Sequence, residues 1–258
     1  MSTVVCVHGA FHELWGPHQI AGRWIPAMRD GLILAGTDID PDEVAVVFYG
    51  DLFRPAPGAE PSDADLRAIA ERTGLLDAAR ELVGPDGLAA LVEHIGKEQV
   101  RRTIEQLGRY FDEPALRETV RARIRAAIGP DTRVVVAHSL GTVAAYEALV
   151  DHDALFAVDL VTFGSPLGRP RVIDAGLEPP LVDGRGAWPG AVRRWTNVTS
   201  VGDIVADGFP LAPVFRAVVE ARVDNGHRAH EPEPYLCALA TGTAIAAGLR
   251  ATRGGGPP

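Results

Sequence analysis

Ser139 is the residue around which the chemistry of this sequence gathers. It stands inside Val134-Val135-Val136-Ala137-His138-Ser139-Leu140-Gly141-Thr142-Val143-Ala144. Three consecutive valines predict a buried parallel strand covered on both faces. The alanine-rich run from Gly141 to Val150 predicts a helix with Ala145, Leu149 and Val150 on its apolar side. A serine at so sharp a strand-to-helix corner is held in a strained conformation, and the residues two before and two after it must be small. Here they are Ala137 and Gly141. The corner lifts the hydroxyl out at the carboxyl end of the sheet and puts the Leu140 N–H at a helix N-terminus, where negative charge is favoured. An exposed hydroxyl beside such an N–H suits attack on a carbonyl, whose oxygen turns negative as the bond forms. Other chemistries find no comparable pattern. Cys6 and Cys237 lie in apolar stretches and read as free buried thiols. The Cys and His residues lack zinc-ligand spacing, and there is no glycine-rich phosphate loop. No metal and no cofactor is expected.

With its valines before and its helix after, Ala-His-Ser-Leu-Gly resembles the nucleophile elbow of the α/β-hydrolase superfamily, in the lipase-like form that begins with Ala. The resemblance implies an α/β class and an α/β-hydrolase fold: a mostly parallel central sheet flanked by helices, with a helical insert before the nucleophile strand. It also implies partners for Ser139. A first strand ending in His8-Gly9 is similar to the family's oxyanion loop. There two backbone N–H groups must already point at the developing charge: Leu140 is one, and Ala10 the other, with Phe11 as the alternative. His8 itself reads as structural. In the family the triad acid sits in a turn after a later strand. Asp203-Ile204-Val205 resembles that family's Asp-Pro-Val with isoleucine in place of proline, which favours Asp203 over Asp207. His230 followed by Tyr235-Leu236 is similar to the family's His-x4-Tyr-Leu, which favours His230 over His227 as general base. Gly164-Ser165-Pro166-Leu167 is similar to the segment after the elbow, where Ser165 reads as structural. The order Ser, Asp, His is that of α/β-hydrolases.

What the resemblance implies is a serine esterase or lipase-like hydrolase that cleaves a carboxylic ester through an acyl-enzyme on Ser139. Thioesterase, amidase or peptidase activity would use the same triad, because fold does not fix chemistry. A non-catalytic member, binding a partner through its apolar insert, is the reading from a different class. The expected partner is a small-molecule or lipid ester.

These residues need a scaffold. Strands are predicted at Thr3–Val7, Val44–Tyr49, the Val134 run, Ala157–Phe163, Arg194–Val198 and Ala217–Val223, and helical spacing marks 18–35, where Pro26 should kink or restart the helix. The loop after Tyr49 holds Asp51, either lining the pocket or simply solvated, and Phe11 borders the pocket mouth. Pro55–Pro61 is a breaker. Helices follow at 63–72, 75–83, 87–95, 98–111 and from Pro114 to Ile128. Only the last is needed as the crossover to the Val134 strand, so residues 55–112 form a candidate lid or cap, with packing on the outside of the sheet as the alternative. Residues 168–190 read as a long irregular loop. The closing segment is helical after Pro234, and residues 252–258 read as a disordered tail.

At 258 residues with a hydrophobic fraction of 47%, one α/β domain spanning 1–258 is the default. The net charge of −9 argues against nucleic acid as a partner. No apolar run is long enough to span a bilayer and no leader precedes the first strand, so no stable membrane insertion and a cytoplasmic location are expected. Oligomeric state leaves no mark in the sequence.

Overall fold

The computed structural model describes residues 2–54, 62–72, 97–151, 157–174 and 176–251. The predicted helices at 75–83 and 87–95, the 55–61 breaker and the 252–258 tail lie outside the described residues.

Six strands form one sheet: β1 (Val4–Val7), β2 (Val44–Val47), β3 (Val134–His138), β4 (Val158–Phe163), β5 (Val192–Ser200) and β6 (Val219–Val223). Their spatial order is β2-β1-β3-β4-β5-β6. Every pairing between them is parallel, where the sequence predicted a mostly parallel sheet. All-parallel sheets need cover on both faces, and the valine-rich strands supply apolar side chains to each. Val5, Val7, Val135 and Ala137 share one core with Val120, Ile124, Val143, Leu149 and Trp195. Val4, Cys6, Val134 and Val136 share the other with Ile20, Trp24, Met28 and Ile245. The alternation of partners along β1 and β3 is the two-residue period of a strand.

Helices α1 (Pro17–Leu34) and, at the other end of the chain, α7 (Pro232–Cys237) and α8 (Leu239–Arg250) cover one face; α4 (Pro114–Ala127) and α5 (Leu140–Val150) cover the other. Between β2 and α4 run α2 (Asp63–Arg72) and α3 (Lys97–Asp112), so helices do stand ahead of the Ser139 strand. Short α6 (Pro170–Asp174) follows β4. Among the described residues no helix is long and apolar enough to cross a membrane.

Three elements differ from the sequence reading. Helix α1 continues through Pro26 as one helix, with Ile20, Trp24, Met28 and Leu32 fully buried along one side; packing of that stripe outweighs the missing N–H. The closing segment starts at Pro232 and breaks at Ala238, whose φ/ψ of −69°/137° is extended. Residues 168–190 are not wholly irregular: they include α6 and an antiparallel bridge between Val182 and Arg185.

Candidate active site

The strand register brings the site together. Val7 of β1 lies opposite Ala137 of β3, so the next residues out, His8 and Gly9, run past His138 and Ser139 at the carboxyl edge. A Cβ on Gly9 would stand 2.8 Å from the Ser139 Cβ and 3.1 Å from the His138 carbonyl oxygen. Only glycine lets the two chains approach this closely. Gly141 has the same role one turn later, since a Cβ there would collide with the His8 carbonyl and lie 2.7 Å from that of Val7. Ser139 occupies the corner with φ 51° and ψ −129°, a conformation a side chain adopts only under strain. The Ser139 N–H is tied to the Phe163 carbonyl at 3.2 Å, and α5 behind it is buried from Leu140 to Leu149.

His230 and Asp203 arrive from the far edge of the sheet. β5 ends at Ser200 and turns through Gly202 into Asp203; β6 leads through the 3-10 turn Gly226–Arg228 to His230. His230 Nε2 lies 3.0 Å from Ser139 Oγ, and His230 Nδ1 lies 2.9 and 3.0 Å from the two Asp203 oxygens. An ionised carboxylate can only accept, so Nδ1 carries the hydrogen and Nε2 presents its lone pair to the serine hydroxyl. Gly164, with φ 56°, passes beneath: a Cβ on it would sit 3.1 Å from both Asp203 Oδ2 and His230 Nδ1.

Asp203 is completely buried. It accepts from Val205 N–H at 2.8 Å, Ala206 N–H at 3.3 Å and the Tyr235 hydroxyl at 2.6 Å. Burial by itself raises a carboxyl pKa, but the facing imidazole and these donors outweigh it, and the Asp203 pKa falls below its ordinary value. The group therefore stays ionised at neutral pH. His138, tilted against the His230 ring with centroids 4.8 Å apart, is driven well below the usual histidine range by burial and by its histidine neighbours. As a neutral ring it donates Nε2–H to the His230 carbonyl at 2.9 Å.

Two backbone N–H groups beside Ser139, those of Ala10 and Leu140, have no hydrogen-bond partner among the described residues. The Gly9–Ala10 peptide is oriented by its carbonyl, which accepts from His8 Nδ1 at 2.7 Å; His8 Nε2 in turn accepts from Tyr49 N–H at 3.2 Å. His8 is buried and neutral, its pKa lowered well below the usual range by desolvation and by nearby His12. The Phe11 N–H is already committed, to Gln106 Oε1 at 3.0 Å.

The chain matches no protein-family model and no curated protein.

Of the two histidines weighed, the structure puts His230 against Ser139 and leaves His227 exposed on its 3-10 turn. Asp207 faces away from the imidazole. Its carboxylate accepts from Gly202 N–H at 2.9 Å and pairs with Arg222 at 2.8 Å. Asp51 is engaged elsewhere: both its oxygens are held by Arg123, at 2.5 and 2.9 Å, on the outer surface. The side chain is exposed. Phe11 is partly exposed in the loop beside Gly9, with φ 84°. Ser165 is buried and shares a hydrogen bond of 2.8 Å with Thr142 on α5, an internal brace. No group of three or more His, Cys, Asp or Glu side chains among the described residues could hold a metal ion.

Three contributors escaped sequence reasoning in their roles. Tyr235 was visible as part of the His-x4-Tyr-Leu pattern, but its hydroxyl contact with Asp203 was not. His138 was visible only as part of the elbow. Gln106 carried no signal, because its partners lie 93 and 95 residues away.

Proposed function

We propose that the chain is a serine hydrolase of carboxylic esters, on an α/β-hydrolase fold. The observation that carries this reading is the continuous relay from Ser139 Oγ through His230 to Asp203, with links of 3.0 and 2.9 Å. It is reinforced by the serine's φ of 51° at a strand-to-helix corner and by two N–H groups beside it that have no partner among the described residues.

The chemistry follows from the tautomer. His230 Nε2 takes the proton from Ser139 Oγ as that oxygen attacks the ester carbonyl, forming a C–O bond and pushing the carbonyl electrons onto oxygen. The Ala10 and Leu140 N–H groups receive the oxyanion, and the N-terminus of α5 adds favourable potential. Asp203 stays ionised and stabilises the imidazolium. The tetrahedral carbon collapses, the ester C–O bond breaks, and His230 returns the proton to the departing alcohol. Water, deprotonated by the same imidazole, then releases the acid and restores Ser139. Every proton is moved by a group in the relay, and loss of one oxyanion donor is expected to cost roughly a hundredfold or more in turnover.

The test is hydrolysis of a short nitrophenyl ester by the purified protein and by Ser139→Ala, Asp203→Asn and His230→Ala. The proposal expects turnover by the parent alone, with the three variants reduced by several orders of magnitude. Turnover that survives Ser139→Ala would remove it. A parallel series of thioester and anilide substrates separates esterase from thioesterase and amidase.

A further inference from the structure

Helix α3 does more than pack on the body of the protein. Its Gln106, 4% exposed, reaches the loop after Gly9 and meets Glu13, 3% exposed. Gln106 Oε1 accepts from Phe11 N–H at 3.0 Å, and Gln106 Nε2 donates to Glu13 Oε2 at 2.5 Å. Arg102, one helical turn earlier, donates to the other Glu13 oxygen at 3.0 Å. The amide orientation is forced, because a backbone N–H needs the oxygen and a carboxylate needs the NH2. On its other side the same peptide is also held, since the Ala10 carbonyl accepts from His12 Nδ1 at 3.0 Å.

Phe11 needs such a hold. Its φ of 84° lies in the left-handed region, which is strained for any residue with a side chain and persists only where surroundings impose it. Relaxation of Phe11 would turn the Ala10–Phe11 peptide and displace the Ala10 Cα, which also carries the N–H of the preceding Gly9–Ala10 peptide beside Ser139.

We propose that Gln106 is a positioning residue for the oxyanion loop: bridging Phe11 N–H and Glu13, it anchors the Ala10–Phe11 peptide and with it the Ala10 Cα, so that the preceding Gly9–Ala10 peptide, held at its carbonyl by His8 Nδ1 at 2.7 Å, keeps the Ala10 N–H toward the reacting oxygen. The inference rests on the serine-hydrolase reading above. It assigns the insert helix a part in turnover through one side chain, without contact to substrate.

The test uses the full-length protein with nitrophenyl acetate and a fluorophosphonate probe, comparing the parent with Gln106→Leu and Gln106→Glu. Gln106→Leu keeps the volume and removes both hydrogen bonds. Its kcat should fall roughly ten- to a hundredfold, the scale of a small misplacement of a catalytic group, with KM changed less than about threefold. Gln106→Glu carries its own signature. Protonated, its carbonyl oxygen accepts from Phe11 and its O–H donates to Glu13, as glutamine does. Two carboxylates sharing one site raise a pKa. Arg102 and Arg54, which donates to the Glu13 carbonyl, oppose that rise, and Glu105 on α3 and His12 on the loop also face the pair. Gln106→Glu should therefore match the parent at low pH and fall away from it as pH rises through the shared pKa.

An inactive and unlabelled parent refutes the hydrolase reading itself, and the inference with it. An active parent with Gln106→Leu within threefold in kcat overturns the inference alone. If Gln106→Leu fails to fold, Gln106→Glu decides: a ratio to the parent that is constant with pH overturns the inference, and a ratio that falls with rising pH supports it.

Discussion

Replacing Tyr235 by Phe removes one oxygen and leaves the ring in place. That hydroxyl donates to Asp203 Oδ2 at 2.6 Å and accepts from Ser200 N–H at 2.7 Å, and the ring is fully buried. A hydrogen bond to a charged group contributes about 1.5–3 kcal/mol, and a buried N–H left without a partner costs about 1–3 kcal/mol. Taking the lower ends, because phenylalanine fits the same space, the variant should lose about 2.5 kcal/mol at neutral pH. For a domain of this size that is a fall in Tm of about 5–10 °C. The loss should also depend on pH. The Asp203 pKa is depressed in the folded protein, so the stability its ionised form contributes is present above the unfolded value and is lost as pH falls through the folded one. Without the tyrosine donor that folded pKa moves up. The gap between parent and variant is therefore widest at neutral pH and narrows on acidification below the ordinary carboxylate value of 3.8, leaving the pH-independent share from Ser200. Urea unfolding at a series of pH values measures it. A variant within about 0.5 kcal/mol of the parent, or a gap that does not change with pH, would refute the reasoning.

Gly9→Ala places a methyl group 2.8 Å from Ser139 Cβ, and steady-state kinetics should show a drop in kcat of roughly a hundredfold or more in a protein that still folds. His227→Ala should keep the parent's kcat, whereas His230→Ala abolishes turnover; the reverse result would reassign the base. Glu147 is fully buried on α5 and ion-paired to Arg117, with Tyr110 donating to it at 2.6 Å. Glu147→Ala leaves the buried Arg117 cation with the exposed Glu178 carboxylate at 3.3 Å and the Gly176 carbonyl at 2.7 Å, and should destabilise the protein by about 3 kcal/mol in chemical denaturation.

The parts of the site built from neighbouring residues were legible in the sequence. Three valines, a serine between Ala137 and Gly141, and an alanine-rich run specify a strand, a tight corner and a helix by local preference alone. The parallel sheet followed from the same logic, because the valine-rich strands β1 and β3 carry apolar side chains on both faces. What the sequence left open depends on contacts across the chain. His227 and His230 are three residues apart in one loop, and only the path of that loop over Gly164 brings His230 to the serine. Asp51 reads either as a pocket residue or as a solvated loop carboxylate, and its partner Arg123, which holds both its oxygens, lies 72 residues on. The break at Ala238 has no glycine or proline at the break itself to announce it. It lies where Gly31 of α1 presses against the Leu236 carbonyl, close enough that a Cβ there would overlap it. Gln106 looks like an ordinary polar residue on an amphipathic helix, and its burial against Glu13 arises from tertiary packing alone.

The central claim is that Ser139 is a nucleophile activated by His230 and Asp203. Its most direct measurement is treatment of the folded protein with a fluorophosphonate, followed by mass mapping of the modified peptide. The account predicts one adduct, on Ser139, absent in Ser139→Ala and His230→Ala. No adduct on folded protein, or an adduct on another serine, would contradict it.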